Sequence, residues 1–233
     1  CQAVRLRAVV VGATRTAEEL GRAFAGVTLR LSGGQAAGRT GGQVLDTVPA
    51  EPALVVSTPG AEPLAEGGYG AALLLDGWAL LSRPDLRAAE ETLRRWMNAA
   101  ALVQPAHRGG RIVVVADGAL PVVQALLRWD PAGHATRELD ERAELGFPPT
   151  TRMASLTGTS AAVADLVAAA DLPASAEHLG PVPAGAGQER LLIRVSRPDG
   201  AALAAALHAA AAIRSARKAT DPVRIQIDPA ELL

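Results

Sequence analysis

Aromatic residues are nearly missing from this chain of 233 residues, which holds two Phe, one Tyr and three Trp. A lone Trp in so poor a background fills core or an interface more often than it stacks on single-stranded bases. Trp78, Trp96 and Trp129 are therefore read first as packing residues and second as stacking platforms. Cysteine is equally scarce: Cys1 has no partner in the chain, so no internal disulfide can form, which fits a reducing cytoplasm. Lysine is reduced to Lys218, and the remaining positive charge is Arg in a chain heavy in Ala, Gly and Pro. That balance has the look of a GC-rich coding bias, so arginine carries information only where it clusters. The formal net charge of −1 excludes the whole-chain basic excess of a protein that coats nucleic acid unaided, and any such contact must be local. No apolar run approaches the roughly 18 residues that span a bilayer, and no basic segment leads into an apolar one. A soluble, cytoplasmic protein without membrane contact is expected. Opening on Cys1 rather than Met is expected of a piece of a longer protein.

What the chain does hold is apolar residues, at 49% of the total, and length enough for one large or two small cored domains. "LRAVVVG" (Leu6–Gly12) is a β-branched run ending in Gly. Thr16, with Glu19 at capping-box spacing, is placed to start a helix that Gly26 stops. Val27–Leu31 alternates like a strand, and the Gly-rich stretch Ser32–Gly42 reads as a surface loop. Pro52–Thr58, Gly70–Asp76 and Gly110–Asp117 are continuous apolar runs between turn residues, the pattern of strands buried on both faces. Together they predict an open, mostly parallel α/β sheet.

Beyond Pro131–Gly133 the texture changes. Ala135–Pro149 reads as a connecting helix stopped by Gly146 and a Pro pair. Then follow a strand (Arg152–Thr157), a helix (Ala161–Ala170), two strands (His178–Val182 and Arg190–Ser196), a helix (Gly200–Lys218) and a last strand (Pro222–Ile227). The order β-α-β-β-α-β predicts a small α+β domain of the split βαβ kind. In its Ala-rich second helix, Leu203, Leu207 and Ala210 share one face, so the segment is a close-packing helix.

The stretches "VVGATRTAEELGRAFAGV", "LLLDGWALLSRPDLRAAEETLRRW", "ELDERAELGFPP", "LGPVPA" and "RSARK" followed by "VRIQIDP" stand in an order that resembles the C-terminal part of the bacterial PriA family of replication-restart proteins. The resemblance covers nearly the whole chain. It implies that residues 1–136 form a RecA-like second helicase lobe and that residues 137–233 form an S10-like C-terminal domain that binds DNA and partner proteins. It implies zinc in the longer protein, with Cys1 as the last of the metal-binding cysteines and the others upstream. The implied partners are forked or single-stranded DNA, primosome proteins and single-strand-binding protein. The Ala-rich helix lacks evident polar residues for gripping the last of these.

Departures from the family pattern bear on the chemistry. Where the resemblance calls for a Gly-Thr-Gln motif followed by Lys and Gly, the chain has Ser57, Thr58, Pro59 and Gly60, and the following loop has no Lys. Where it calls for the final helicase motif with its two arginines, the chain has Asn98–Pro105, which sets Leu102 and Pro105 at the arginine positions. Phosphoryl transfer depends on placed cations, an arginine finger contributing roughly 10³–10⁵ in rate. The expectation is a lobe that no longer hydrolyses ATP: a DNA-binding, primosome-assembly factor without helicase activity. The alternatives are a fragment of an ATP-dependent 3′-5′ DNA helicase, and a generic α/β interaction domain with no nucleic-acid role.

No catalytic or nucleotide-binding residue is assigned. Asp76 could face a nucleotide cleft, but opening an Asp-Gly turn suffices to explain it. Arg83, Arg87, Arg94 and Arg95 alternate with acids, and Glu90–Arg94 and Glu91–Arg95 predict a self-paired solvent face. Arg214, Arg217, Lys218 and Arg224 are opposed locally only by Asp221 and fall in the "RSARK" region, which makes them the candidate DNA-backbone contacts. Three of them also complement a helix C-terminus, a role that needs no ligand.

Overall fold

A computed structural model describes residues 12–33, 43–75, 77–83 and 85–229. Cys1, the run Leu6–Val11, most of the Gly-rich loop and Asp76 lie outside the described residues. The chain divides into two compact units, Cys1–Pro131 and Ala132–Leu233.

In the first unit, helix α1 (Ala13–Ala23) starts earlier than the capping-box reading placed it. Gly12 is its N-cap, Thr16 N–H already donates to the Gly12 carbonyl, and Glu19 is taken by Arg15 one turn back at 3.1 Å. Strand β1 (Thr28–Ser32) follows, then β2 (Thr47–Val48), β3 (Ala53–Ser57), β4 (Leu64–Ala65) and β5 (Ala71–Leu74). After α2 (Gly77–Leu81) and α3 (Ala88–Ala101), β6 (Arg111–Val114) leads to α4 (Pro121–Arg128), which has Pro121 in its first turn. All the pairings are parallel, as expected, but among the described residues they are three two-stranded pairs, β1 with β3, β2 with β4 and β5 with β6, rather than one open sheet. The core of this unit gathers Leu74, Leu93, Trp96, Val122, Val123 and Leu126 from β5, α3 and α4. Burial of the apolar strands on both faces is not found: Leu73 is 61% and Val113 is 51% exposed.

The second unit runs α5 (Pro131–Leu145), β7 (Thr151–Gly158), α6 (Ser160–Ala169), β8 (Glu177–Gly185), β9 (Gln188–Ser196), α7 (Gly200–Ala216) and β10 (Arg224–Ile227). From β7 onward this is the β-α-β-β-α-β order read from the sequence. The four strands form one antiparallel sheet in the order β10-β7-β9-β8. Residues of β7 and β9 alternate strictly between the two faces, as a strand's two-residue period requires. Ala154, Leu156, Leu191, Ile193 and Val195 turn toward α6 and α7 and close a core with Val163, Leu166, Leu203, Leu207 and Ala210. Thr159 caps α6, its hydroxyl accepting from Ala162 N–H.

Candidate nucleic-acid interface

The four cations marked in the sequence do not share one environment. Arg214 continues the stripe of Leu203, Leu207 and Ala210 on α7 and is 7% exposed. Its guanidinium is ion-paired with Asp165 of α6 and donates to the Asp221 carbonyl at 2.8 Å. A charge removed from water in this way must be satisfied within the protein, and Arg214 spends its donors on that. It is therefore withdrawn from the candidate contacts and becomes the tie between α6 and the turn leading into β10.

The other three stay in solvent. Arg217, Lys218 and Arg224 are exposed, and among the described residues no ion pair engages them. Lys218 sits just past the end of α7 with φ at 55°, the left-handed conformation that usually selects Gly. Its N–H donates to the Ser215 carbonyl at 3.0 Å, and Ala219 N–H reaches back to the Arg214 carbonyl at 3.2 Å. This double closure of the helix end satisfies the last carbonyls and holds the Lys218 backbone in place beside the helix C-terminus, where positive charge is favoured.

One cation was missed. Arg190 on β9 pairs with Thr157 on β7, which in turn pairs with Arg224 on β10. Cross-strand partners point to the same side of a sheet, so all three lie on the face turned away from α6 and α7. The Arg190 Nε is buried without a hydrogen-bond partner. The alternation of "RLLIRVS" was the available signal: with Leu191, Ile193 and Val195 facing the core, Arg190, Leu192 and Arg194 must face the other way. Arg194 is occupied, donating to Glu177 and to the carbonyls of Leu145 and Gly146. Asp228, at the end of β10, is paired with Arg152 at 2.7 Å.

In the first unit, the segments that depart from the helicase pattern are tied to each other. Tyr69 N–H donates to the Leu102 carbonyl at 3.0 Å and Gln104 N–H to the Tyr69 carbonyl at 2.8 Å. Pro105 opens a single 3-10 turn (Ala106–Arg108) in which His107 and Arg108 are exposed. Gly60 N–H, in the turn after β3, donates to both carboxylate oxygens of Glu62 at 2.9 Å. A negative side chain thus occupies an amide that a phosphate-binding turn would leave free.

Of the tryptophans, Trp96 is core, whereas Trp78 and Trp129 are about half exposed. The predicted self-pairing on α3 is present with a different partition: Glu91 accepts from both Arg94 and Arg95 at 2.7 Å. Hydrogen bonds from Arg94 and then Arg95 hold its carboxyl at about 2, well below the ordinary value. Among the described residues no group of three or more His, Cys, Asp or Glu side chains could hold a metal ion. No helix among them is long and apolar enough to cross a membrane.

Residues 143–230 match the family described as primosomal protein N C-terminal domain. The chain is 52% identical over 241 residues to a probable replication restart protein PriA of Mycobacterium leprae (strain TN), covering 98% of this chain and 36% of the relative. It is 50% identical over 248 residues to a probable replication restart protein PriA of Mycobacterium tuberculosis (strain CDC 1551 / Oshkosh), covering 98% of this chain and 37% of that relative. The chain thus spans little more than a third of the length of the curated relatives it matches.

Proposed function

Because this chain belongs to the replication restart protein PriA family, we propose that it is a DNA-binding and primosome-assembly module that does not itself turn over nucleotide. DNA binding rests on one observation: the exposed, unpaired Arg217, Lys218 and Arg224 gathered around the connection from α7 to β10. In a chain of net charge −1, these cations give the second unit a local site for phosphate contact, with forked or single-stranded DNA as the ligand. Primosome proteins are the matching protein partners, and single-strand-binding protein is a lesser one, since α7 offers it mostly Ala.

The non-motor half of the proposal is supported by Leu102 and Pro105, which supply neither charge nor a fork of donors, and by the Glu62 carboxylate on the Gly60 amide. Arg108, the nearest cation to Pro105 in sequence, lies on an exposed turn. Zinc enters only through Cys1 together with ligands outside this chain.

Equilibrium binding to a forked duplex at several salt concentrations tests the reading. The logarithm of affinity should fall steeply with the logarithm of salt, and Arg217→Ala with Lys218→Ala should lower that slope by about 2, one for each lost phosphate contact. A salt-independent or undetectable affinity overturns DNA binding. DNA-stimulated ATP turnover by the full-length protein that depends on Arg108 would return the lobe to the motors and overturn the other half.

A further inference from the structure

We infer that the open edge of β6, with the apolar groove beside it, is the docking site of an extended, acidic segment of a partner protein. The inference goes beyond the DNA-binding reading and stands on different residues, all of them in the first unit.

Backbone direction carries the argument. Arg111 N–H donates to the Gly70 carbonyl and Val115 N–H to the Leu74 carbonyl, so the main chain of Arg111, Val113 and Val115 is turned toward β5. Hydrogen-bonding groups alternate along a strand, and those of Ile112 and Val114 therefore point the other way, to an edge that no strand pairs among the described residues. The side chains of Ile112 and Val114, with Leu126, Leu127 and Trp129 at the end of α4, line a groove of about 260 Å³. Leu127 is 68% and Trp129 is 53% exposed, while Leu126 is buried.

Edge strands are usually blunted against further pairing. The outer strand β8 of the second unit carries Pro181 and Pro183 and two shifts of register, which deny a further strand regular bonds. β6 has no proline and no bulge, and its single charge, Arg111, stands at its start. An edge left this way is a template for strand addition, in which main-chain bonds give affinity and alternate side chains give specificity.

Charge selects the occupant. Arg111 on β6 and Arg128 on α4 are exposed, and among the described residues no ion pair engages either. The acids nearest in sequence are occupied: Asp130 already has a partner, and Asp117, beyond the far end of β6, accepts from Ala119 N–H at 2.9 Å. Arg111 points to the opposite face from Ile112. An added strand that lays alternate apolar residues in the groove thus presents its intervening residues to Arg111, and acids there complete the pairing. Arg128 adds positive charge on the α4 side.

The test is binding of two synthetic peptides to the 233-residue chain: acetyl-Asp-Phe-Glu-Val-Glu-Leu-Asp-amide, and its counterpart with Lys at every acidic position. The acidic peptide should bind and the Lys peptide should not, and the amides of Ile112 and Val114 should exchange more slowly in the acidic peptide's presence. Arg111→Glu with Arg128→Glu should weaken the acidic peptide by about tenfold, and Leu127→Ala by about threefold. Binding that leaves Ile112 and Val114 exchange unchanged, equal binding of the two peptides, or binding of neither overturns the site. Should the chain sediment as a dimer that Leu127→Glu returns to monomer, a second copy covers the groove and the inference is overturned as well. If the double arginine variant unfolds, Leu127→Ala, a change at an exposed position, decides alone: weaker binding of the acidic peptide supports the site, and unchanged binding overturns it.

Discussion

The two units answer the same problem, how to hide apolar strands, in opposite ways. In the second unit α6 and α7 cover one face of the antiparallel sheet so fully that Ile193, Leu203 and Leu207 have no exposed surface, and Met153 on the opposite face of β7 is fully buried as well. In the first unit the strands are apolar on both sides, and among the described residues Leu73, Ile112, Val113 and Val115 remain open to solvent. Alternating strands can be finished by one layer of helices, whereas continuous apolar strands need cover on two. Order in the first unit leans instead on the α3–α4 packing around Trp96 and on backbone crossings. At one crossing, a Cβ added to Gly110 would overlap the Gln104 carbonyl.

Each unit should therefore break at a different kind of position. Leu207→Ala should destabilise the second unit by about 2–5 kcal/mol, the usual result of emptying a fully buried site. In the first unit, Val113→Ala should change stability by no more than about 0.5 kcal/mol. Gly110→Ala, which sets a methyl against main chain that must move, should cost about 1–3 kcal/mol. Amide hydrogen exchange, read separately over each unit, gives these numbers without assuming that the units unfold together. A Val113→Ala effect as large as that of Leu207→Ala would erase the contrast.

A second comparison concerns helix ends. In the first unit the turn Ala106–Arg108 closes on Gly109 at φ 87°, a residue with no side chain to strain. In the second, the corresponding left-handed position after α7 holds Lys218 at φ 55°. A lysine there carries strain that glycine would relieve, so Lys218→Gly should stabilise the second unit by about 1 kcal/mol. The same change should lower the salt slope of DNA binding by about 1, moving stability and affinity in opposite directions. If affinity is kept while stability rises, Lys218 is a helix-end residue with no part in the interface.

The second unit was the more legible in sequence, and the reason is physical. Its strands alternate and its helices carry apolar stripes, so the order of elements from Thr151 to Ile227 follows from local periodicity. Periodicity also held what went unread. Arg214 lies one further step along the stripe of Leu203, Leu207 and Ala210, and Arg190 lies one residue out of phase with Leu191, Ile193 and Val195. Both positions were fixed by the repeat, yet each residue's charge says surface, and only the partners Asp165 and Asp221 show why one cation could be buried. The first unit was less legible because continuous apolar runs do not say which face is covered. At α1, the pairing of Arg15 with Glu19 removed the acid from the cap that Thr16 suggested.

Acid titration separates the units at a finer scale. In the second, Asp199 beside the start of α7 accepts from the Ser175 and Ser196 hydroxyls at 2.6 and 2.7 Å, and these bonds, that of Ser175 first, hold its carboxyl below the ordinary aspartate value. In the first, Glu91 is held at about 2 by Arg94 and Arg95. Both carboxyls are lower in the folded than in the unfolded chain. Each therefore contributes stability that is full above the unfolded value and is lost as pH falls through the folded one. The partners differ: neutral hydroxyls hold Asp199, and salt-screened guanidinium groups hold Glu91. Between about pH 5 and 2, Asp199→Asn should flatten the acid loss of the second unit at low and at high salt alike. Glu91→Gln should flatten that of the first only at low salt, because its partners are exposed charges that salt screens. Equal salt sensitivity at the two sites would mean that the Asp199 carboxylate is stabilised by the charge of nearby arginines, and the hydroxyl account of its lowered value would have to be given up.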